Sequence, residues 1–334
     1  MRAAFHPLLP NGPAGDPVLW VDLPDEGRSI LVDLGDLSGL SSRRLLRVDR
    51  VVVSHTHMDH FIGFDQLLRL LLRRERELVV TGPAGFLEHV RGKIGAYRWN
   101  LVENYPIRLI AEELVEGTIR SERYTGPGRM RPEPLPERPY GGSLFAHRAY
   151  NLQAIELDHG IPVLGVALEE TEHLSVNKDR LVRAGLRPGA WLRDLKQAIR
   201  RRLPGSASVE AETEDGGSRT CRVDDALAEE FVTRAPGRRI AYFTDLAYSE
   251  SNIARVVELA RGVDLMICEA AFLHCDLQLA RERNHLTARQ AGELARAAGA
   301  HRLAVFHFSS RYESRHDELI DEARAAFGGE IAAL

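Results

Sequence analysis

Ser54-His55-Thr56-His57-Met58-Asp59-His60 follows directly on the apolar run Val51-Val52-Val53 and packs three imidazoles and a carboxylate into a few residues. A loop at the carboxyl end of a buried strand is where α/β sheets place their chemistry. Imidazole nitrogen and carboxylate oxygen suit zinc, and two metal ions need more ligands than one histidine pair supplies. A lone His-x-His is as often a surface turn as a site, so the reading depends on what the rest of the chain adds.

Working outward, short β-branched runs recur, each ending in a polar or acidic residue: Ile30 to Asp33, Leu78 to Thr81, Ile240 to Asp245, Leu265 to Glu269 and Leu303 to His307. Such runs suit strands buried on both faces. Helical spacing lies between them, from Phe64 to Arg74, Glu250 to Arg261 and Ser314 to Phe327. Strand and helix alternate, which predicts an α/β architecture. Thr287-Ala-Arg-Gln290 reads as a capping box, with Gly299 as the stop, and places His285 on the loop ahead of that helix. Asp158-His159, Asp245 and His307 fall at the ends of further strands. Together with the His-rich loop they point to a metal site, although each alone would more often be structural.

Two stretches depart from the alternation. Residues 121–142 carry Pro127, Pro132, Pro134, Pro136 and Pro139 with several glycines and read as a loop. Residues 170–236 hold a basic helical pattern, Trp191 to Leu203, and a polar segment from Gly205 to Ser218, and read as an inserted hairpin or lobe in a single domain spanning 1–334.

Composition sets outer bounds. The chain has 334 residues, 44% of them hydrophobic, enough for a large buried core, and its formal charge of -4 with mixed signs announces no nucleic-acid or membrane surface. Neither the N-terminal stretch, Met1 to Pro7, nor any later segment has the apolar length of a signal peptide or membrane span, which predicts a cytoplasmic protein without a membrane partner. Cys221, Cys268 and Cys275 lack the number and spacing of a disulfide or metal framework and are expected to be reduced thiols.

HTHMDH resembles the signature of the metallo-β-lactamase superfamily, and the chain from about Ile30 onward is similar to its ribonuclease Z branch. The likeness includes Leu157-Asp-His-Gly-Ile-Pro-Val-Leu-Gly-Val-Ala-Leu-Glu-Glu170, Ile240-Ala-Tyr-Phe-Thr-Asp245, Cys268-Glu-Ala-Ala-Phe272, and Asn284-His-Leu-Thr287 leading to Val305-Phe-His-Phe-Ser-Ser-Arg-Tyr312. The resemblance implies a four-layer αββα sandwich and a binuclear site. His55, His57, His159 and Asp245 would hold one zinc; Asp59, His60, Asp245 and His307 would hold the other, so that Asp245 bridges. It further implies that Asp33 supports the metal loops, that His285 is catalytic and that Glu269 orients it. The implied activity is an endoribonuclease acting on precursor tRNA 3′ ends, as a homodimer.

Two zinc ions roughly 3.5–4 Å apart suit phosphodiester hydrolysis. Asp59 would orient or deprotonate the attacking water, and His285 would protonate the departing oxygen. Manganese or iron would fit the same donors. Competing readings are a phosphodiesterase of small substrates such as cyclic nucleotides or short oligonucleotides, a thioester or lactone hydrolase, and a non-catalytic RNA-binding protein; a flavodiiron-type redox site is disfavoured by His57.

The chain departs from the branch in four places, one of them Cys268-Glu-Ala-Ala where the branch has a HEAT-like stretch, with the glutamate retained. Asp33-Leu-Gly-Asp-Leu-Ser38 replaces the usual Glu-Gly and Gln continuation, Leu246 replaces a threonine after Asp245, and the lobe lacks the Gly/Pro-rich tip of the tRNA-gripping arm. The lobe does offer Arg187, Arg193, Lys196, Arg200, Arg201 and Arg202 as phosphate contacts, against a solvated face balanced by Glu210, Glu212, Glu214 and Asp215. His89, His147, His173, His274, His301 and His316 are expected on the surface or behind the site.

Overall fold

A computed structural model of the chain describes residues 5–334; the start of the N-terminal stretch read above, residues 1–4, lies outside the described residues. Two sheets stack face to face. The first runs in chain order through eight strands, from His6–Leu8 to Glu133–Pro139. The second has seven, in the order Glu330–Ile331, Arg302–Phe306, Leu265–Glu269, Arg239–Phe243, Pro162–Glu170, Tyr150–Asp158 and Phe145–Ala146.

The period-2 alternation of strands explains why the apolar runs had no polar face. Ile30 and Val32 point between the sheets with Ile240, Tyr242, Leu265, Ile267 and Phe306. Their neighbours Leu31, Val51 and Val53 point outward beneath helix Phe64–Leu71, which contributes Phe64, Leu67, Leu68 and Leu71 from one face. On the far side Ala241, Phe243, Met266 and Cys268 are covered by helices Ala288–Ala298 and His316–Phe327. Those two helices meet closely at Gly292, where a Cβ would lie 2.4 Å from the Ala323 carbonyl oxygen. The layers are therefore helix, sheet, sheet, helix.

The capping box at Thr287 and Gln290 forms, and Gly299 ends its helix at a φ of 65°. No helix among the described residues is long and apolar enough to cross a membrane. Cys221 and Cys268 are buried, Cys275 is exposed, and all three are free thiols.

The proline-rich stretch 121–142 is not the loop its composition suggested. Thr118–Thr125 and Glu133–Pro139 are paired antiparallel strands, with Pro134 opposite Glu122 and Pro139 opposite Thr118. Glu133–Pro139 is the last strand of its sheet. An edge strand leaves one row of backbone groups unpaired, so the missing proline N–H groups cost no ladder bond, and the prolines discourage further strand addition.

Within residues 170–236, a two-stranded neck of His173–Val176 and Val232–Ala235 carries helices Lys178–Arg183, Trp191–Arg200 and Val223–Ala228 and the hairpin Ser208–Glu212 with Ser218–Arg222. These elements enclose their own core, which includes Leu174, Leu181, Trp191, Leu195, Cys221 and Phe231.

The basic helix is not wholly a solvated face. Arg200, its side chain 3% exposed, reaches Glu26 at 3.2 Å, Asp25 at 3.5 Å and Glu170 at 3.5 Å. Lys196 adds a 3.0 Å pair with Asp25, and Gln197 donates to the Asp25 carbonyl at 3.1 Å. The lobe is thus strapped to the body by charges that the sequence offered as phosphate contacts, whereas Arg187, Arg193, Arg201 and Arg202 are exposed. Removing one partner of a buried ion network leaves the others uncompensated. Arg200→Ala is therefore expected to cost about 3 kcal/mol, near the lower end for such losses because Lys196 still faces Asp25. Urea unfolding measures the loss, and limited proteolysis should show new cuts at the neck; an unchanged midpoint would show that the strap adds nothing.

Candidate metal centre

Of the polar residues that ended the apolar runs, Asp33, Asp245, Glu269 and His307 converge with the His-rich loop at one end of the sandwich, whereas Thr81 bonds Glu112 instead. Gly35 and Gly63 permit the close packing this needs. A Cβ at Gly35 would lie 2.6 Å from the Asp59 carbonyl oxygen, and one at Gly63 2.3 Å from the Gly35 carbonyl oxygen. Strand-end residues must also turn their side chains out of the pleat, and Asp33, Asp245 and His307 do so in the left-handed region at φ of 63°, 50° and 60°. Such conformations persist where surrounding structure enforces them and cluster at functional sites.

Three overlapping groups of donor atoms occur among the described residues, one of them Asp245, Glu269, His285 and His307, and the other two make the candidate donor sets. Ligand atoms of His55, His57, His159 and Asp245 lie within 4.8 Å of one another, and so do those of Asp59, His60 and His307. Asp245 Oδ2 stands 3.5 Å from both His55 Nε2 and His60 Nε2 and 3.7 Å from His159 Nε2, between the two sets. His307 Nδ1 is 3.5 Å from Asp245 Oδ1, and its Nε2 3.4 Å from Asp59 Oδ2. All seven candidate ligands from the sequence therefore meet at one place.

The donor chemistry fits cations. Among the described residues His60 Nε2 and His307 Nδ1 are buried without a hydrogen-bond partner, an arrangement that is costly unless another group uses the lone pair. His55 Nε2 and His57 Nδ1 approach to 2.9 Å. Burial first, then the neighbouring His60 imidazole, holds His55 down to about 2, so it is the neutral ring that ligation requires. For His60 burial acts downward too, but the carboxylates of Asp245 and Asp33 overcome it and raise its pKa. Burial would raise Asp59, yet the hydrogen bond from His307 and the charge of His60 bring it to about 2.

Asp33 works from behind the cluster. Its Oδ1 accepts from the Ser54 backbone N–H at 2.6 Å, and its Oδ2 from His60 Nδ1 at 3.1 Å and the Tyr242 hydroxyl at 2.9 Å. The bond to Nδ1 leaves His60 Nε2 directed at the cluster. Tyr242 escaped the sequence reading because a tyrosine in an apolar strand looks like core; its only signal was a hydroxyl that burial between sheets obliges to find an acceptor.

His285 and Glu269 stand beside the donor sets. Glu269 Oε2 accepts from His285 Nδ1 at 2.7 Å, and Oε1 from the Leu246 N–H at 2.8 Å, so both carboxylate oxygens are engaged. The His285 ring lies 4.9 Å from that of His159 and 5.5 Å from that of His307. Burial lowers its pKa, but the charge and hydrogen bond of Glu269 outweigh burial and bring it to about 9. Of the remaining histidines, His89 bonds Thr56 Oγ1 in the metal loop at 2.7 Å, and His173 is buried against Glu170 at 3.1 Å.

The chain is similar to known proteins in sequence and in fold. The Beta-lactamase superfamily domain matches residues 195–308. Ribonuclease Z of Deinococcus radiodurans is 31% identical over 332 residues, covering 94% of this chain and 93% of its own. Ribonuclease Z of Haloarcula marismortui is 27% identical, with 92% and 85% covered. Among solved structures, the metallo-β-lactamase fold protein YhfI from Bacillus subtilis superposes at a TM-score of 0.55 over 96% of this chain and 92% of its own, at 16% identity. The short form of human tRNase Z does so at 0.53 and 17% identity over 90% and 92%. With the αββα fold in common and near-full-length identity of this order, the chain belongs to the ribonuclease Z family of metal-dependent hydrolases.

Proposed function

We propose that this protein is a two-zinc endoribonuclease that cuts precursor tRNA at its 3′ side, working as a cytoplasmic homodimer. The observation that carries the reading is the Glu269–His285 pair, 2.7 Å apart and beside both donor sets. Thioester or lactone hydrolysis gives such a pair no task. A phosphodiester with a poorly acidic 3′ alcohol as leaving group requires a proton donor.

His55, His57, His159 and Asp245 would hold one ion, and Asp59, His60, His307 and the shared Asp245 the other. Bound there, two zinc ions supply Lewis acidity at the phosphate and acidify the attacking water. Asp59, its side chain 44% exposed, would orient that water and take its proton. The water oxygen bonds to phosphorus as the bond to the 3′ oxygen breaks, and His285 gives that oxygen its proton. Glu269 holds Nδ1, so Nε2 is the nitrogen that transfers.

A second reading, hydrolysis of small phosphodiesters by the same centre, is favoured by one fact: Lys196 and Arg200 of the lobe are occupied by Asp25, Glu26 and Glu170. The deciding experiment sets zinc-loaded protein on a 3′-extended precursor tRNA and, separately, on bis(p-nitrophenyl) phosphate, with His285→Ala as control. Site-specific tRNA cutting that collapses in the variant is the expected result. Turnover of the small diester without tRNA cleavage would replace the ribonuclease reading with the small-substrate one, and inactivity on both would sink phosphodiester chemistry.

A further inference from the structure

His159 and Asn284, the residue before His285, lie 125 residues apart in the chain and are joined by two hydrogen bonds. The Asn284 backbone carbonyl accepts from His159 Nδ1 at 2.8 Å, and its side-chain amide donates to the His159 carbonyl at 3.2 Å. The first bond fixes the tautomer: Nδ1 carries the proton, leaving the Nε2 lone pair on the side of Asp245 Oδ2, 3.7 Å away. The carbonyl reaches the ring because Asn284 is left-handed, at a φ of 56°, just beyond helix Leu277–Glu282.

That position is one glycine ordinarily fills. Glycine would satisfy the backbone there, but it has no amide. The Asn284 carboxamide sits against Gly160, where an added Cβ would meet Nδ2 at 2.9 Å, so the side chain is seated directly on the His159 loop. The next residue, His285, is anchored separately by its N–H to the Ala280 carbonyl at 2.9 Å and by its ring to Glu269 at 2.7 Å. One residue thus ties a candidate ligand to the candidate proton donor.

We propose that Asn284 is a positioning residue that holds the His159 ring in its ligating tautomer and keeps that ring in register with His285. The inference rests on the ligand assignment of His159 made above. Outer partners of ligating histidines typically contribute 10- to 100-fold in metal affinity.

The test is zinc titration of the metal-free full-length protein against a competing chelator, with the unfolding midpoint measured alongside. Asn284→Gly keeps the left-handed backbone and the carbonyl and removes only the amide. It is expected to fold with a wild-type midpoint and to bind one zinc equivalent about 10-fold more weakly, the other unchanged. Nitrogen NMR of the His159 ring should show the Nδ1-protonated tautomer in the wild type and, once the amide no longer clamps the His159 loop against the Asn284 carbonyl, a mixture in the variant. Zinc affinity and tautomer as in the wild type would overturn the proposal, whatever the midpoint does, since a merely structural amide would move the midpoint alone. His159→Ala separates the two layers. It should lose one equivalent, and if it keeps both, the ligand assignment fails and the Asn284 proposal with it.

Discussion

Asp245→Ala should cost the protein its metal centre and its cleavage activity together. The carboxylate is buried, and a single oxygen, Oδ2, lies 3.5–3.7 Å from imidazole nitrogens of His55, His60 and His159, members of both donor sets. A residue behind a ligand is worth 10- to 100-fold in affinity, so a ligand shared by two sites should exceed roughly 100-fold at each. The variant also leaves His55, His60, His159 and His307 facing one another without the carboxylate that lies among them. Elemental analysis after dialysis, together with hydrolysis of bis(p-nitrophenyl) phosphate, reads both effects. A variant that keeps two metal equivalents and wild-type turnover would remove Asp245 from the centre.

The seven candidate donors stood out in the sequence because each is a local irregularity: a polar side chain at or just beyond the end of an apolar run, where the strand leaves the sheet. The capping box that positions the loop of His285 was legible for the same reason, since a cap is written within four residues. What escaped was information held between segments. The prolines of Glu133–Pro139 read as a loop because the chain does not say which strand will be last in its sheet. Lys196 and Arg200 carried a helical spacing, but their acidic partners Asp25 and Glu26 lie 171 to 175 residues away. Tyr242 and Asn284 gave no pattern at all. What singles them out is long-range hydrogen bonding, from Tyr242 to Asp33 across 209 residues and between Asn284 and His159, twice, across 125. Donors announce themselves by type and spacing, whereas the groups that aim them are ordinary residues identified only by contact.

Glu269→Gln should separate the donor from the metal centre. Glutamine retains the shape and an oxygen for the Leu246 N–H, but it presents an amide to His285 Nδ1, which must then accept rather than donate. The donor nitrogen is lost or mis-set, and cleavage of an RNA phosphodiester should fall by roughly 10²- to 10⁴-fold, the usual worth of a general acid, with metal content kept. Bis(p-nitrophenyl) phosphate should lose far less, because nitrophenolate leaves without a proton. The pH dependence carries a sign. In the metal-free protein burial pulls His285 down, but Glu269 raises it from 6.5 to about 9. A raised imidazole stabilises the folded state fully below the unfolded value of 6.5, and that contribution disappears as pH climbs through about 9. The urea midpoint of metal-free wild type should therefore fall across this window, while that of Glu269→Gln, left with burial and the weaker pull of Asp245, should fall far less. In the loaded enzyme the bound cations shift His285 downward in both proteins, so the alkaline limb of RNA cleavage in the variant should still lie at lower pH than in the wild type. Equal limbs and equal loss on both substrates would mean that Glu269 supports the metal site rather than the proton donor.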